Sequence, residues 1–264
     1  GIQGLRVGAP FVPTDPGGLN VKYFTEFPED IRMVGLTFEK KFAAGAVYGE
    51  LTYRPNQPYQ YNSSDLLTAF ATPAGPTPLR AAATATTPGA IFHGFERHKA
   101  QQLDLGGFHA LGSLFGAQSS NIAAEIVYKR APDLPDRTLT RFRRADVYGA
   151  GPVNGVCLTT NPKQCSLDGF ISENALGYRM RLAMRYPQIM SGVDFNPTLS
   201  LGHDQRGWSE DSAIVEGRNF AILSLKAEVK KAWIVELSWQ PTWGGEYNNA
   251  KDRSSAALSV GYRF

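Results

Sequence analysis

Ser254-Ser255-Ala256-Ala257-Leu258-Ser259-Val260-Gly261-Tyr262-Arg263-Phe264 ends the chain, and its alternation is the strongest structural signal in it. Phe264, Tyr262, Val260, Leu258 and Ala256 fall on one side of an extended backbone, and Arg263, Gly261, Ser259, Ala257 and Ser255 on the other. Period two means a strand with one apolar and one polar face. An alternating strand that stops on a phenylalanine is the expected closing strand of a bacterial outer-membrane β-barrel, with the aromatic at the periplasmic rim. The fold class this predicts is all-β, an antiparallel transmembrane barrel.

Composition is compatible with that class. The hydrophobic fraction is 42% and the mean hydropathy -0.26, and no run approaches the roughly 20 apolar residues a spanning helix needs. A barrel escapes this test because lipid-facing and lumen-facing residues alternate. A net charge of +3 with dispersed basic residues gives no footprint for nucleic acid. The chain begins at Gly1 without a signal-peptide pattern, so it reads as mature, trimmed or partial.

The alternation recurs upstream. Trp233, Val235, Leu237 and Trp239 oppose Ile234, Glu236, Ser238 and Gln240. From Trp233 to Trp243 the strand climbs roughly 23 Å at about 3.3 Å per residue and a tilt near 45°, matching the apolar band of such barrels. Ala221 to Val229, Val193 to Leu201 and Leu176 to Tyr186 repeat the pattern, and Tyr178 and Tyr186 bracket an aliphatic run. Trp233, Trp243, Tyr178, Tyr186 and Phe264 are therefore expected to form aromatic girdles at the two interfaces. Further strands are read around residues 122–128, 98–111, 47–53, 32–42 and 20–25, with a bulge at Gly106-Gly107. The total is about ten, and bacterial barrels prefer even numbers. Short turns near Ala43, 113–120, Pro187 and Lys230 alternate with connections at 26–31, 55–97, 132–173, 205–216 and 244–253. That asymmetry separates a periplasmic from an extracellular side of a single domain spanning 1–264.

The stretch from Tyr23 through Pro28 to Arg32, then Gly49-Glu50-Leu51-Thr52-Tyr53-Arg54-Pro55-Asn56-Gln57-Pro58 and Asn62-Ser63-Ser64-Asp65-Leu66-Leu67, resembles the proteobacterial outer-membrane family catalogued as domain of unknown function 1302. Gly177-Tyr178-Arg179, Val193, Pro197, Val215-Glu216-Gly217-Arg218 and Asp252-Arg253 resemble the end of that family. Members are generally far longer, so the resemblance implies the C-terminal portion of a larger barrel. It also implies an outer-membrane location, periplasmic or inner-membrane transporter components as partners, and hydrophobic compounds as cargo. It carries over no site residues.

By parity Arg179, Arg181, Arg185, Lys226, Lys230 and Arg263, with Asp194, Glu228 and Glu236, point into the lumen. Water-filled lumens accept such charge, and mixed signs also suit a salt-bridged plug. The primary reading is a channel or export conduit. The alternative is a structural or adaptor barrel with a blocked lumen, embedded like the first in outer-membrane lipid and lipopolysaccharide. Three arginines on one strand predict a wall that favours anions.

Cys157 and Cys165 lie close together among turn residues, and an oxidising compartment favours a disulfide over metal binding, with two free thiols as the alternative. Asn62 to Phe70 reads as a short helix, either a constriction or a rim element, and Ala71 to Ala90 as an extended tract. Arg137, Arg141, Arg143 and Arg144 suit either polysaccharide phosphates or a solvated loop face. His93, His98, His109 and His203 show no paired catalytic motif, and His203 and Asp204 would face opposite ways on a strand. No cofactor, metal site or catalytic role is expected, an outer-membrane hydrolase being the remote alternative.

Overall fold

The computed structural model describes residues 1–4, 21–71, 75–157 and 159–264. The elements in chain order are β1 (Ile2–Gly4), β2 (Val21–Tyr23), β3 (Val34–Phe42), β4 (Gly45–Gln60), α1 (Ser63–Ala71), α2 (Arg80–Ala85), β5 (Ile91–Phe92), β6 (Phe95–Gly112) and β7 (Ser119–Arg130). They continue with β8 (Asn174–Met190), β9 (Val193–Arg206), β10 (Arg218–Val229), β11 (Trp233–Gln240), β12 (Thr242–Gly244) and β13 (Ser255–Tyr262). Among the described residues, no helix is long and apolar enough to cross a membrane.

The strands build a ten-stranded antiparallel sheet in the order β13-β11-β10-β9-β8-β7-β6-β4-β3, with β12 continuing the β11 edge of β10 past Pro241. Each strand pairs with its neighbour in the chain, a meander whose short turns lie at one end and long loops at the other. The sheet is not closed: β3 and β13 are its two edges, and both are exposed along their whole length.

Register follows the hydrophobic pattern, because a one-residue slip would turn every apolar side chain to the other face. Leu258, Leu237, Leu225 and Pro197 align across four strands, and Leu182 lines up with Ile122 and Leu199. Ile126, Leu105, Gly49 and Phe38 carry the row to the far edge. One face of the sheet is thus continuously apolar and still exposed, with Leu237, Leu105, Met180 and Leu258 among its open side chains.

Several local expectations need correction. Val21–Tyr23 is a strand, but it pairs with β1 in a separate three-stranded sheet, β2-β1-β5, at the loop end. Gly106 and Gly107 keep regular register with Glu125 and Ala124, and the bulge falls between Ala110 and Gly112 instead. The phase survives there because Tyr48 covers Gly106, where an added Cβ would sit 2.6 Å from its ring. Strand β4 runs past Pro55 to Gln60, absorbing the proline in a register shift between Arg54 and Gln57. Strand β8 also outlasts Pro187, so its turn is Ser191-Gly192, with Gln188 held at φ 50° where the register slips. In the tract read as extended, Arg80–Ala85 forms a helix. Its alanines favour helix, and the Arg80 guanidinium ties it back to the carbonyls of Thr68 and Ala69. The first helix, α1, buries Leu66 and Ala69 against Ile2 and Leu79, so it packs on the small sheet.

Candidate functional site: the charged face and its loop cap

Of the charges that parity assigned to the polar face, Arg179, Arg181, Arg185, Asp194, Lys226, Glu228 and Glu236 lie on it within strands, whereas Arg263 lies just past the end of β13 and Lys230 in a turn. On β8, Arg179 donates from Nη2 to Asp204 Oδ1 at 2.6 Å while its guanidinium lies over Phe220, 4.8 Å from the ring centre. The Phe220 ring has room there because Gly202 lacks a Cβ, which would otherwise meet it at 2.3 Å. Asp204 is fully buried and also accepts from Arg218 Nε at 2.6 Å and from the Val215 N–H at 3.0 Å. One carboxylate therefore joins β8, β9, β10 and the loop between the last two.

Arg181 lies two residues further down β8, exposed, and among the described residues it makes no ion pair. Arg185 is 3.9 Å from Asp194, whose carboxylate mainly accepts from the Gln188 N–H at 2.9 Å and so braces the bulge before the turn. Lys226 pairs with Glu228 at 3.0 Å, Arg263 stands 3.9 Å from the same carboxylate, and Glu236 accepts from Ser224 at 2.7 Å. Lys230 lies in the β10–β11 turn rather than on the wall, donating its backbone N–H to Gly192. Glu50, Asp104 and Glu125 share this face on β4, β6 and β7, acidic counterparts that the sequence reading passed over.

The aromatic residues gather at the two ends of the apolar face. Trp233 packs on Tyr262 at 4.8 Å and Phe264 on Tyr262 at 5.3 Å, with Tyr186 beside Phe195 at the same turn end. At the loop end Tyr178 meets His203 edge-on at 5.4 Å, and Trp243 pairs with Asn219 on the neighbouring strand. His203 and Asp204 fall on opposite faces, as strand geometry requires.

The loop end of the polar face is covered. Phe142 and Ile171 from the 132–173 connection pack on Tyr59 and Ala100, and residues 141–143 pair as backbone with 60–62. Arg141 is buried and grips Asp65 of α1 with two hydrogen bonds, both 2.7 Å. Arg144 is 3% exposed and lies 4.0 Å over the Phe170 ring. Its four terminal N–H groups donate to the carbonyls of Ser166, Asp168, Tyr148 and Gly149. Burial pushes its pKa down to about 10, still charged at neutral pH. Arg137 donates to the carbonyls of Ile171 and Leu167. Of the four loop arginines expected to face solvent or surface phosphates, only Arg143 is exposed. Cys157 and Cys165 are joined in a disulfide within this cap. From the connection between β9 and β10, Glu210 and Asp211 reach Lys129 of β7 at 3.3 and 2.5 Å. Burial raises the Asp211 carboxyl, but hydrogen bonds from Lys129, Ser209 and the Ala213 N–H outweigh it and hold the group below its ordinary value.

The sequence profile of the family described as "Protein of unknown function (DUF1302)" matches residues 7–264. The chain belongs to the DUF1302 family. No curated protein and no solved structure matches it. The match runs through the sheet and every loop of the cap, so in this DUF1302 chain wall and cap lie within one family unit. The partners that assemble the cap, Asp65, Asp204, Lys129, Glu210 and Asp211, escaped sequence reasoning. The nearest signal was the stretch Asn62 to Phe70, which reads on sequence as a short helix and contains Asp65.

Proposed function

We propose that this chain is the wall of a bacterial outer-membrane β-barrel acting as a channel or export conduit, with hydrophobic compounds as the cargo class its family resemblance suggests. The observation that carries the reading is the continuous apolar face, running from Phe38 to Leu258, while most strand charges lie on the other side and exceptions such as Lys40 and Arg130 stand near strand ends. Water has no reason to favour such a face; hydrocarbon does, and aromatic clusters at both ends suit the interfaces.

Strand direction limits how such a barrel would close. Ten strands less β12 leave nine in a continuous meander, so β3 and β13 run the same way. Joining them directly would make one parallel seam in an antiparallel wall. An odd number of further strands between the edges restores alternation, and no edge can stay bare in lipid. On this reading the sheet is part of a larger barrel, placed in lipid and lipopolysaccharide and served by periplasmic or inner-membrane transporter components.

A second reading, a non-conducting barrel that anchors an envelope assembly, draws support from the cap, where Asp65 and Arg141 are sealed together over the polar face. Conductance of the full-length protein in planar bilayers decides between them. Discrete openings with an ion preference support the conduit; a folded, inserted and silent protein supports the anchor.

A further inference from the structure

Among the cap loops lies a cavity of about 550 Å³ whose lining includes Arg143, Arg144, Arg218, Asp146, Trp208 and Tyr247. Its charges do not balance. Arg218 is matched by the buried Asp204, and Asp146 accepts a hydrogen bond from Ser63 but meets no cation within ion-pair distance among the described residues. Arg144 is a buried cation whose hydrogen-bond partners are four neutral carbonyls, with no carboxylate in ion-pair contact among the described residues. Arg143 is exposed, makes no side-chain bond among the described residues, and borders a second polar cavity shared with Lys129 and Glu210. Two guanidiniums against one carboxylate leave a single positive charge.

A cation held in a low-dielectric site without a counter-charge is costly, and a bound anion removes that cost. The planar fork of a guanidinium matches a carboxylate in two parallel hydrogen bonds. A dianion would overshoot the balance and face Asp146 besides. Trp208 and Tyr247, set edge to face with ring centres 6.0 Å apart, give the cavity an apolar wall beside the cations. The space exceeds that of a simple inorganic ion and falls in the range of small organic ligands.

We propose that this cavity binds the carboxylate of a small monoanionic organic acid, with Arg143 as its direct partner and Arg144 as the fixed positive charge behind it. The site gives the conduit proposed above a cargo or gating ligand with one acidic head and an apolar body. It rests on that reading for its biological role, although its test does not.

The test is calorimetric titration of the full-length folded protein in detergent micelles with benzoate, its neutral isostere benzamide, and inorganic phosphate. Benzoate is expected to bind, benzamide at least roughly tenfold more weakly, and added salt to weaken benzoate binding. Arg143→Gln should raise the benzoate Kd by about tenfold or more without disturbing the fold, since among the described residues only the Arg143 backbone, not its side chain, makes a structural bond. Absence of benzoate binding, an unchanged Kd in Arg143→Gln, or equal affinity for benzamide would overturn the site. Phosphate binding more tightly than benzoate would overturn the monoanion assignment. A protein that binds benzoate but does not conduct leaves this inference standing and removes the conduit; one that conducts but ignores benzoate does the reverse.

Discussion

Replacing Leu237 by arginine tests the apolar face at its centre. Leu237 pairs with Leu225 on one side and Leu258 on the other, so the new guanidinium would find no partner in either neighbouring strand. It lies four residues above Trp233 and six below Trp243. At 3.3 Å per residue and a 45° tilt, the belts are about 9 Å and about 14 Å away along the membrane normal. An extended arginine reaches roughly 6–7 Å, short of both, so snorkelling relieves only part of the cost. A penalty within the range of about 2–4 kcal/mol found for arginine near the midplane is therefore expected.

Ser238→Arg is the control one residue away. Ser238 pairs with Ser224 and Ala257 on the polar face, where Glu236 offers a carboxylate on the same side of the strand. The substitution should cost less than about 1 kcal/mol, the range of ordinary surface changes. Urea unfolding in phospholipid vesicles, followed by tryptophan fluorescence, measures both. Equal losses at 237 and 238, or a loss confined to 238, would refute the assignment of the faces and the membrane reading with it.

Asp65→Ala strands the buried Arg141 and should lower stability by about 3–5 kcal/mol, whereas Asp65→Ala with Arg141→Met should recover most of that in the same unfolding assay. Arg181→Ser should reduce anion preference in reversal-potential measurements while leaving the fold intact, because Arg181 is the arginine of β8 that no carboxylate neutralises among the described residues. An unshifted reversal potential in a conducting protein would put Arg181 outside the permeation path. The Lys129 to Asp211 clamp should give a pH signature. A folded pKa below the ordinary 3.8 adds stability above that value, and the contribution is lost as pH falls through the lower folded pKa. Hydrogen exchange of the Ala213 and Ile214 amides should accelerate below about pH 4 in the wild type, and a Lys129→Met variant should show less of this acid dependence.

The wall was legible because its signal is local and repeats. Each strand states its own faces with period two, and Leu237, Leu225 and Leu182 needed no knowledge of their neighbours to be assigned. What failed were features that depend on a neighbour. Gly106-Gly107 looks like a bulge until Tyr48 from the adjacent strand fills the space above it. Pro187 looks like a turn until Gln188 takes a left-handed conformation and Asp194 accepts its N–H. Val21–Tyr23 alternates well enough to be a wall strand, and only its pairing with β1 removes it from the main sheet.

The cap was hidden for a different reason. Asp65 and Arg141 are 76 residues apart and belong to segments that read separately as a helix start and a charged loop. Arg144 is harder still, since its hydrogen-bond partners are backbone carbonyls, which every residue possesses and no composition reveals. An arginine-rich loop therefore has two physical outcomes that look identical in sequence: solvation, or burial among carbonyls and carboxylates that fold around each guanidinium. Here the second prevails for Arg137, Arg141 and Arg144. Arg143 lies on the opposite side of the 141–143 bridge from Phe142, and, unlike Arg141 on that same side, which is held by Asp65, its guanidinium makes no bond among the described residues. The same alternation that puts leucines and most charges on opposite faces of the sheet puts Phe142 and Arg143 on opposite sides of the bridge to 60–62, and of the four arginines expected to be solvated in the 132–173 connection it is Arg143 whose guanidinium makes no bond among the described residues.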